Sequence, residues 1–187
     1  MCLFFVSNLK NIKMKSKHLI YCLLAFCFFA LSSCGPDNDD YADKVDGRYK
    51  VKITPNLNLK YDGNDMPSIT SEIETTGTIT KEDEQGNVTI KIESVNGKIN
   101  DNEMDAYCSG LRLSIEDSSY KGIMATSEYE SATCDILLNN PTTTISNARV
   151  FNWNSTISGQ CEIYFIGLDM TCDVTGTISF ALTPIIE

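Results

Sequence analysis

From Gly47 to the C-terminus apolar and polar residues alternate one by one, and no stretch repeats its apolar residues at helical spacing. Tyr49, Val51 and Ile53 alternate with Lys50, Lys52 and Thr54. Val88, Ile90 and Ile92 alternate with Thr89, Lys91 and Glu93. Leu111, Leu113 and Ile115 do the same, and Ile163, Phe165, Val174, Ile178, Phe180 and Leu182 carry the pattern towards the end of the chain. Such a segment is a strand with one buried face and one solvated face. Turn formers fall between the runs, at Asp62-Gly63-Asn64, Gln85-Gly86-Asn87, Asn96-Gly97, Asn139-Asn140-Pro141 and Gly167-Leu168-Asp169. The pattern predicts an all-β, antiparallel fold of about eight strands. An open sheet of that size leaves two edges that invite pairing with other chains. Closure into an up-and-down barrel is therefore the expected architecture, with a β-sandwich as the alternative.

The first part of the chain has a different composition. Lys15, Lys17 and His18 precede an apolar run of 13 residues, Leu19 to Leu31. A bilayer span needs about 20 residues, so this run fits the core of a signal peptide and not a membrane helix. It ends in Leu31-Ser32-Ser33-Cys34-Gly35. That pentapeptide resembles the lipobox of bacterial lipoproteins. The resemblance implies that residues 1–33 are removed, that Cys34 is lipidated and begins the mature chain, and that the protein is held to a membrane through Cys34. Translation is expected to start at Met14. Residues 34–46 carry Asp37, Asp39, Asp40, Asp43 and Asp46 and few apolar groups, which predicts a flexible acidic tether. The β-barrel domain is expected over 47–187.

A lipidated Cys, an acidic tether and then Asp46-Gly47-Arg48-Tyr49 opening the first strand is similar to the calycin-like, or lipocalin-like, β-barrel lipoproteins of Bacteroidetes. Gly77-Thr78-Ile79-Thr80, the Gln85-Gly86-Asn87 turn and Gly176-Thr177-Ile178-Ser179-Phe180 extend the likeness. Tyr49 stands where the lipocalin Gly-x-Trp signature places its tryptophan. The resemblance implies an outer-membrane, lipid-anchored and surface-exposed protein, with the periplasmic face as the alternative.

All 25 acidic residues and 11 of the 15 basic ones lie beyond residue 33, a net charge of −14 for that part. Nucleic acid is not an expected partner, because phosphate binding needs a basic footprint. The only histidine is His18, inside the expected signal peptide. A mature chain without histidine has no Ser-His-Asp triad and no imidazole metal site.

Cys108, Cys134, Cys161 and Cys172 remain once the signal and Cys34 are set aside. An even number in an oxidising compartment predicts two disulfides, for which three pairings exist. A hairpin folded at Ile166-Gly167 sets Cys161 opposite Cys172, leaving Cys108 to pair with Cys134. No Cys-x-x-Cys is present to suggest a metal or redox site.

Other candidates are weaker. Glu72 with Glu74, and Glu128 with Glu130, place two carboxylates on one face of a strand, the minimum equipment of a glycan hydrolase. Asp101, Glu103 and Asp105 supply hard oxygen ligands for a calcium ion, but Ala106 stands where an EF-hand loop needs Gly. Phe151 and Trp153 alternate with Asn152 and Asn154, a possible sugar-stacking platform, though large apolar side chains more often fill a core. The expectation is a non-catalytic binding or accessory module with no cofactor, whose partner is a small apolar ligand, a glycan or a protein. The alternatives are a glycan hydrolase using paired acids and an inhibitor or partner-binding barrel.

Overall fold

A computed structural model describes residues 39–186 apart from 125, 127, 147 and 148. The expected signal peptide, the expected start at Met14 and the expected lipidation site Cys34 lie outside the described residues. The fold is all-β, as the alternation predicts. A short helix, α1 (Asp39–Val45), leads into eleven strands: β1 (Gly47–Tyr61), β2 (Asn64–Ile69), β3 (Ile73–Lys81), β4 (Asn87–Ile92), β5 (Asn102–Ser109), β6 (Arg112–Ile115), β7 (Ser118–Ile123), β8 (Ser131–Asn139), β9 (Thr142–Thr144), β10 (Phe151–Phe165) and β11 (Leu168–Pro184). The sheet is antiparallel throughout and curls into a barrel-like shape in the order β7-β8-β10-β11-β1-β3-β4-β5-β6-β9, with β2 paired to β1 off that path.

Eleven strands stand where about eight were expected. The excess lies in short pieces, β2, β7 and β9, of three to six residues each. These hold too few apolar alternations to be recognised in sequence, whereas β6 falls in the run of Leu111, Leu113 and Ile115. The chain is a meander from β3 to β6, but β9 crosses back to β6 and β1 closes on β11.

The three long strands carry the curl. β1, β10 and β11 span 15 to 17 residues and bury every second side chain. Gly159 and Gly176 fall in the inward-facing series of β10 and β11 with φ near +156° and +141°. A Cβ at Gly159 would lie 2.2 Å from the Asp135 carbonyl oxygen, and one at Gly176 2.1 Å from that of Asn56. Glycine is what lets these strands bend tightly against their neighbours. β1 pairs with β3 over its first half and with β2 over its second, past an irregularity between Leu57 and Leu59. Pro67 lies in β2 on the edge, where its missing N–H costs no ladder bond.

Tyr49, Ile53, Leu57, Ile73, Ile79, Ile90, Met104, Leu113 and Phe151 are fully buried in one continuous core. The seam between the sheet ends is tied by local bonds. Asn100 N–H donates to Tyr120 Oη (3.1 Å), Asn140 N–H to Asp117 Oδ1 (2.8 Å) and Thr143 Oγ1 to the Asn152 carbonyl (2.8 Å). A bridge between Ile99 and Met124 joins the same seam.

Part of the acidic segment is not a free tether. Residues 39–45 are helical, with Ala42 and Val45 fully buried three apart on one face. Lys81 Nζ holds Asp43 Oδ1 at 2.9 Å, and Lys81 N–H donates to Asp46 Oδ2 at 3.1 Å. Two apolar residues among many acids gave little sign of this in sequence, because their partner surface is built by β3 and β5, far along the chain.

Candidate functional site

The inward-facing side chains form one continuous buried core. The outer face of β3, β1, β11 and β10 carries hollows. Register sets Lys52 between Glu74 on β3 and Ala181 on β11, and Ala181 next to Asn152 on β10. One step along, Thr54 faces Ser179, which faces Asn154. The short side chains of Ser179 and Ala181 lie between longer ones on both sides and so form the floor of a trough. The trough has two adjoining hollows. One, of about 580 Å³, is lined by Lys50, Lys52, Glu74, Thr76, Ala181 and Thr183 among others. The other, of about 210 Å³, is lined by Lys52, Thr54, Asn152, Asn154, Ser179 and Ala181 among others.

The charges in the trough are partly spent. Lys52 Nζ lies 2.7 Å from Glu72 Oε2, and this contact raises the lysine pKa, so the ammonium stays charged. Thr76 Oγ1 donates to Glu93 Oε2. The side-chain amides of Asn152 and Asn154 bond no other group among the described residues, which leaves two donors and one acceptor on each facing solvent. The surface therefore presents amides, hydroxyls, the Lys52–Glu72 pair and the charged ends of Lys50 and Glu74, which is hydrogen-bonding and ionic chemistry without an activated nucleophile or base.

Of the sequence candidates, Glu74 lines the trough and the others fall elsewhere. Phe151 and Trp153 are in the core and form no platform. Trp153 stacks on Phe180 with ring centroids 4.8 Å apart, and Phe151 meets Tyr49 edge-on at 5.6 Å. Their polar neighbours Asn152 and Asn154 are the residues turned outward, because strand alternation puts the two sets on opposite faces. Glu72 precedes β3 and is held by Lys52. Glu128 and Glu130 lie in a bend before β8 and not on a strand, and Glu130 N–H donates to the Tyr164 carbonyl at 3.1 Å. Asp101 accepts from Ser94 N–H at 2.7 Å and so fixes its own loop, while Glu103 and Asp105 point outward from β5 opposite Lys91 and Thr89. Among the described residues no group of three or more His, Cys, Asp or Glu side chains is placed to hold a metal ion.

The cysteine pairing differs from the expectation. Cys161 lies opposite Cys172 on β11, as the hairpin predicts, but equally opposite Cys134 on β8, and it is Cys134 that it bonds. The Cα atoms of that pair are 4.1 Å apart, the narrow spacing of cross-strand neighbours that exchange no backbone hydrogen bonds. Cys161 then turns its N–H and C=O towards β11, where pairs are wider. Cys108 and Cys172 are free, buried thiols. Cys108 lies on β5 near Tyr49, at the far end of the core from the other three, so it does not reach Cys134. Burial pushes the Cys108 thiol up to about 11 and raises Cys172 as well, which keeps both protonated and unreactive at neutral pH.

No protein-family model, curated protein or solved structure matches the chain.

Proposed function

We propose that this chain is a lipid-anchored β-barrel lipoprotein of the outer membrane, displayed at the cell surface, that acts as a non-catalytic binding module. The calycin-like Bacteroidetes lipoproteins are the class it resembles. The anchor reading rests on Leu31-Ser32-Ser33-Cys34-Gly35 after a short apolar run. Two or three acyl chains on one cysteine make attachment effectively permanent, which a single chain does not.

The observation that carries the binding reading is the trough of solvent-facing amides and hydroxyls on the outer face of the sheet, where the amides of Asn152 and Asn154 bond no other group among the described residues. It favours a hydroxylated, water-soluble ligand such as a glycan over a lipid carried inside the barrel. Two measurements on the mature protein test this. Titration with a panel of neutral oligosaccharides, followed by NMR, is expected to move the resonances of Lys52, Asn152, Asn154 and Ser179, and Asn152→Ala with Asn154→Ala to weaken binding roughly tenfold or more. A fluorescent fatty acid is expected to leave the emission of Trp153, the only tryptophan and a core residue, unchanged. Saturable quenching of Trp153 by that probe would place the ligand inside and reverse the conclusion.

A further inference from the structure

The β10–β11 hairpin ends in two large apolar side chains held out in water. Ile166 is 76% exposed and Leu168 63%. The tip projects past both neighbouring strands: β8 pairs with β10 no further than Tyr164, and β1 pairs with β11 no further than Asp173. The two central residues of the turn, Ile166 and Gly167, have φ of 51° and 76°. That is the tight hairpin turn for which Asn-Gly is the relaxed sequence, and a β-branched residue at its first position is strained. The base of the hairpin is fixed. Phe165 packs edge-on against Tyr129 with centroids 5.3 Å apart, and Tyr129 Oη donates to the Pro67 carbonyl. A strained turn on a rigid base that spends its exposed position on isoleucine serves something other than the stability of the turn.

The surroundings say what. Glu162, Asp169 and Asp173 lie on the hairpin and Glu130 in the adjoining bend. Lys60 lies opposite Asp173 and Lys121 shares a hollow with Glu162, but Asp65 and Asp135 already pair with these two lysines, so the rim stays net acidic. An acidic rim is repelled by anionic lipid headgroups. It is equally repelled by the same rim on a second copy of this chain. It complements an apolar pocket edged with Lys and Arg. The geometry points to the hairpin tip as a docking wedge: Ile166 and Leu168 enter an apolar pocket on a partner protein whose rim is basic. This reading does not rest on the trough or on its ligand.

The experiment places a photo-reactive phenylalanine at Ile166 in the full-length protein in its native envelope, with the same group at the exposed Leu111 as the control. Cross-linked peptides are then mapped by mass spectrometry. The expected result is adducts from position 166 to apolar residues of one other protein with Lys or Arg alongside. Their yield is expected to fall roughly tenfold from low to high salt and again with Leu168→Ser. Adducts to this chain, to lipid or to an acidic surface would overturn the wedge, as would a yield no higher than that from Leu111. Ile166→Asn gives an independent reading. Its melting temperature is expected to rise by about 2–4 °C while cross-linking from position 168 is lost. A melting temperature that falls would show that the apolar tip serves the fold itself, and the proposal would be withdrawn.

Discussion

The two ends of the barrel are built on opposite plans. At the end where β1 begins, α1 lies against the sheet and a network of groups covers the core. Tyr49 Oη donates to the Val45 carbonyl at 2.5 Å, and Arg149 donates to the Asp46 carbonyl and to Tyr49 Oη, its guanidinium 5.8 Å from the Tyr49 ring centroid. Phe151 packs beneath, fully buried. At the other end the β10–β11 hairpin runs out past its neighbours and exposes Ile166 and Leu168. One end spends its aromatic and apolar groups on its own closure, the other presents them outward. The difference teaches where stability and recognition are kept apart. Side chains that hold the fold sit under a polar cover, and side chains free to meet a partner sit where little of the fold depends on them.

The largest expected effect tests that separation directly. Phe151→Ala at the covered end is expected to cost about 3–5 kcal/mol, and Leu168→Ala at the tip no more than about 0.5 kcal/mol, in urea denaturation. Equal losses would abolish the contrast. The next effect concerns the disulfide, which lies on β8 and β10 towards the hairpin end. Cys134–Cys161 joins residues 27 apart, and its removal by Cys134→Ala with Cys161→Ala is expected to cost about 3.5 kcal/mol in the loop-entropy model. Peptide mapping of the oxidised protein checks the pairing beforehand. A Cys161–Cys172 linkage would move the staple into the hairpin and make the exposed tip the stiffer end. The smallest effect is a pH slope. Burial holds Cys108 protonated up to about 11, above its ordinary value near 9. The native state thus keeps a proton that the unfolded chain releases, so this stabilisation is complete below pH 9 and drains away as pH rises towards 11. Melting temperatures between pH 8 and 11 should fall, and Cys108→Val should flatten the decline. An unchanged slope would detach Cys108 from the stability of the covered end.

Strands were legible where the alternating residues were large and apolar, whereas β5 and β8, which alternate over eight and nine residues through Ala and Cys among acids and hydroxyls, were not. β1, β4, β10 and β11 match the runs around Tyr49, Val88, Ile163 and Val174. Helix α1 was not legible, because its two buried residues lie among acids and gain their meaning from β3 and β5. The cysteines show the limit most sharply. Cys161 and Cys172 were seen to face each other, and they do, yet the bond goes to Cys134, whose strand is joined to β10 through β9 and a loop. The trough was invisible for the same reason. Asn152 and Asn154 stood out only as neighbours of Trp153, while Ala181 and Lys52 meet them through pairings over a hundred residues apart in the case of Lys52.

By itself the chain determined its period of two, its turns, the inward or outward facing of most strand residues and an acidic, histidine-free stretch after a short apolar run. These are properties of residues and their immediate neighbours. The tertiary structure alone decided which strands lie side by side, which cysteine won Cys161 and which outer surface is hollow. Those outcomes depend on non-local backbone pairing, and period-two alternation is nearly the same for every strand, so it fixes the face of a residue without naming its neighbour.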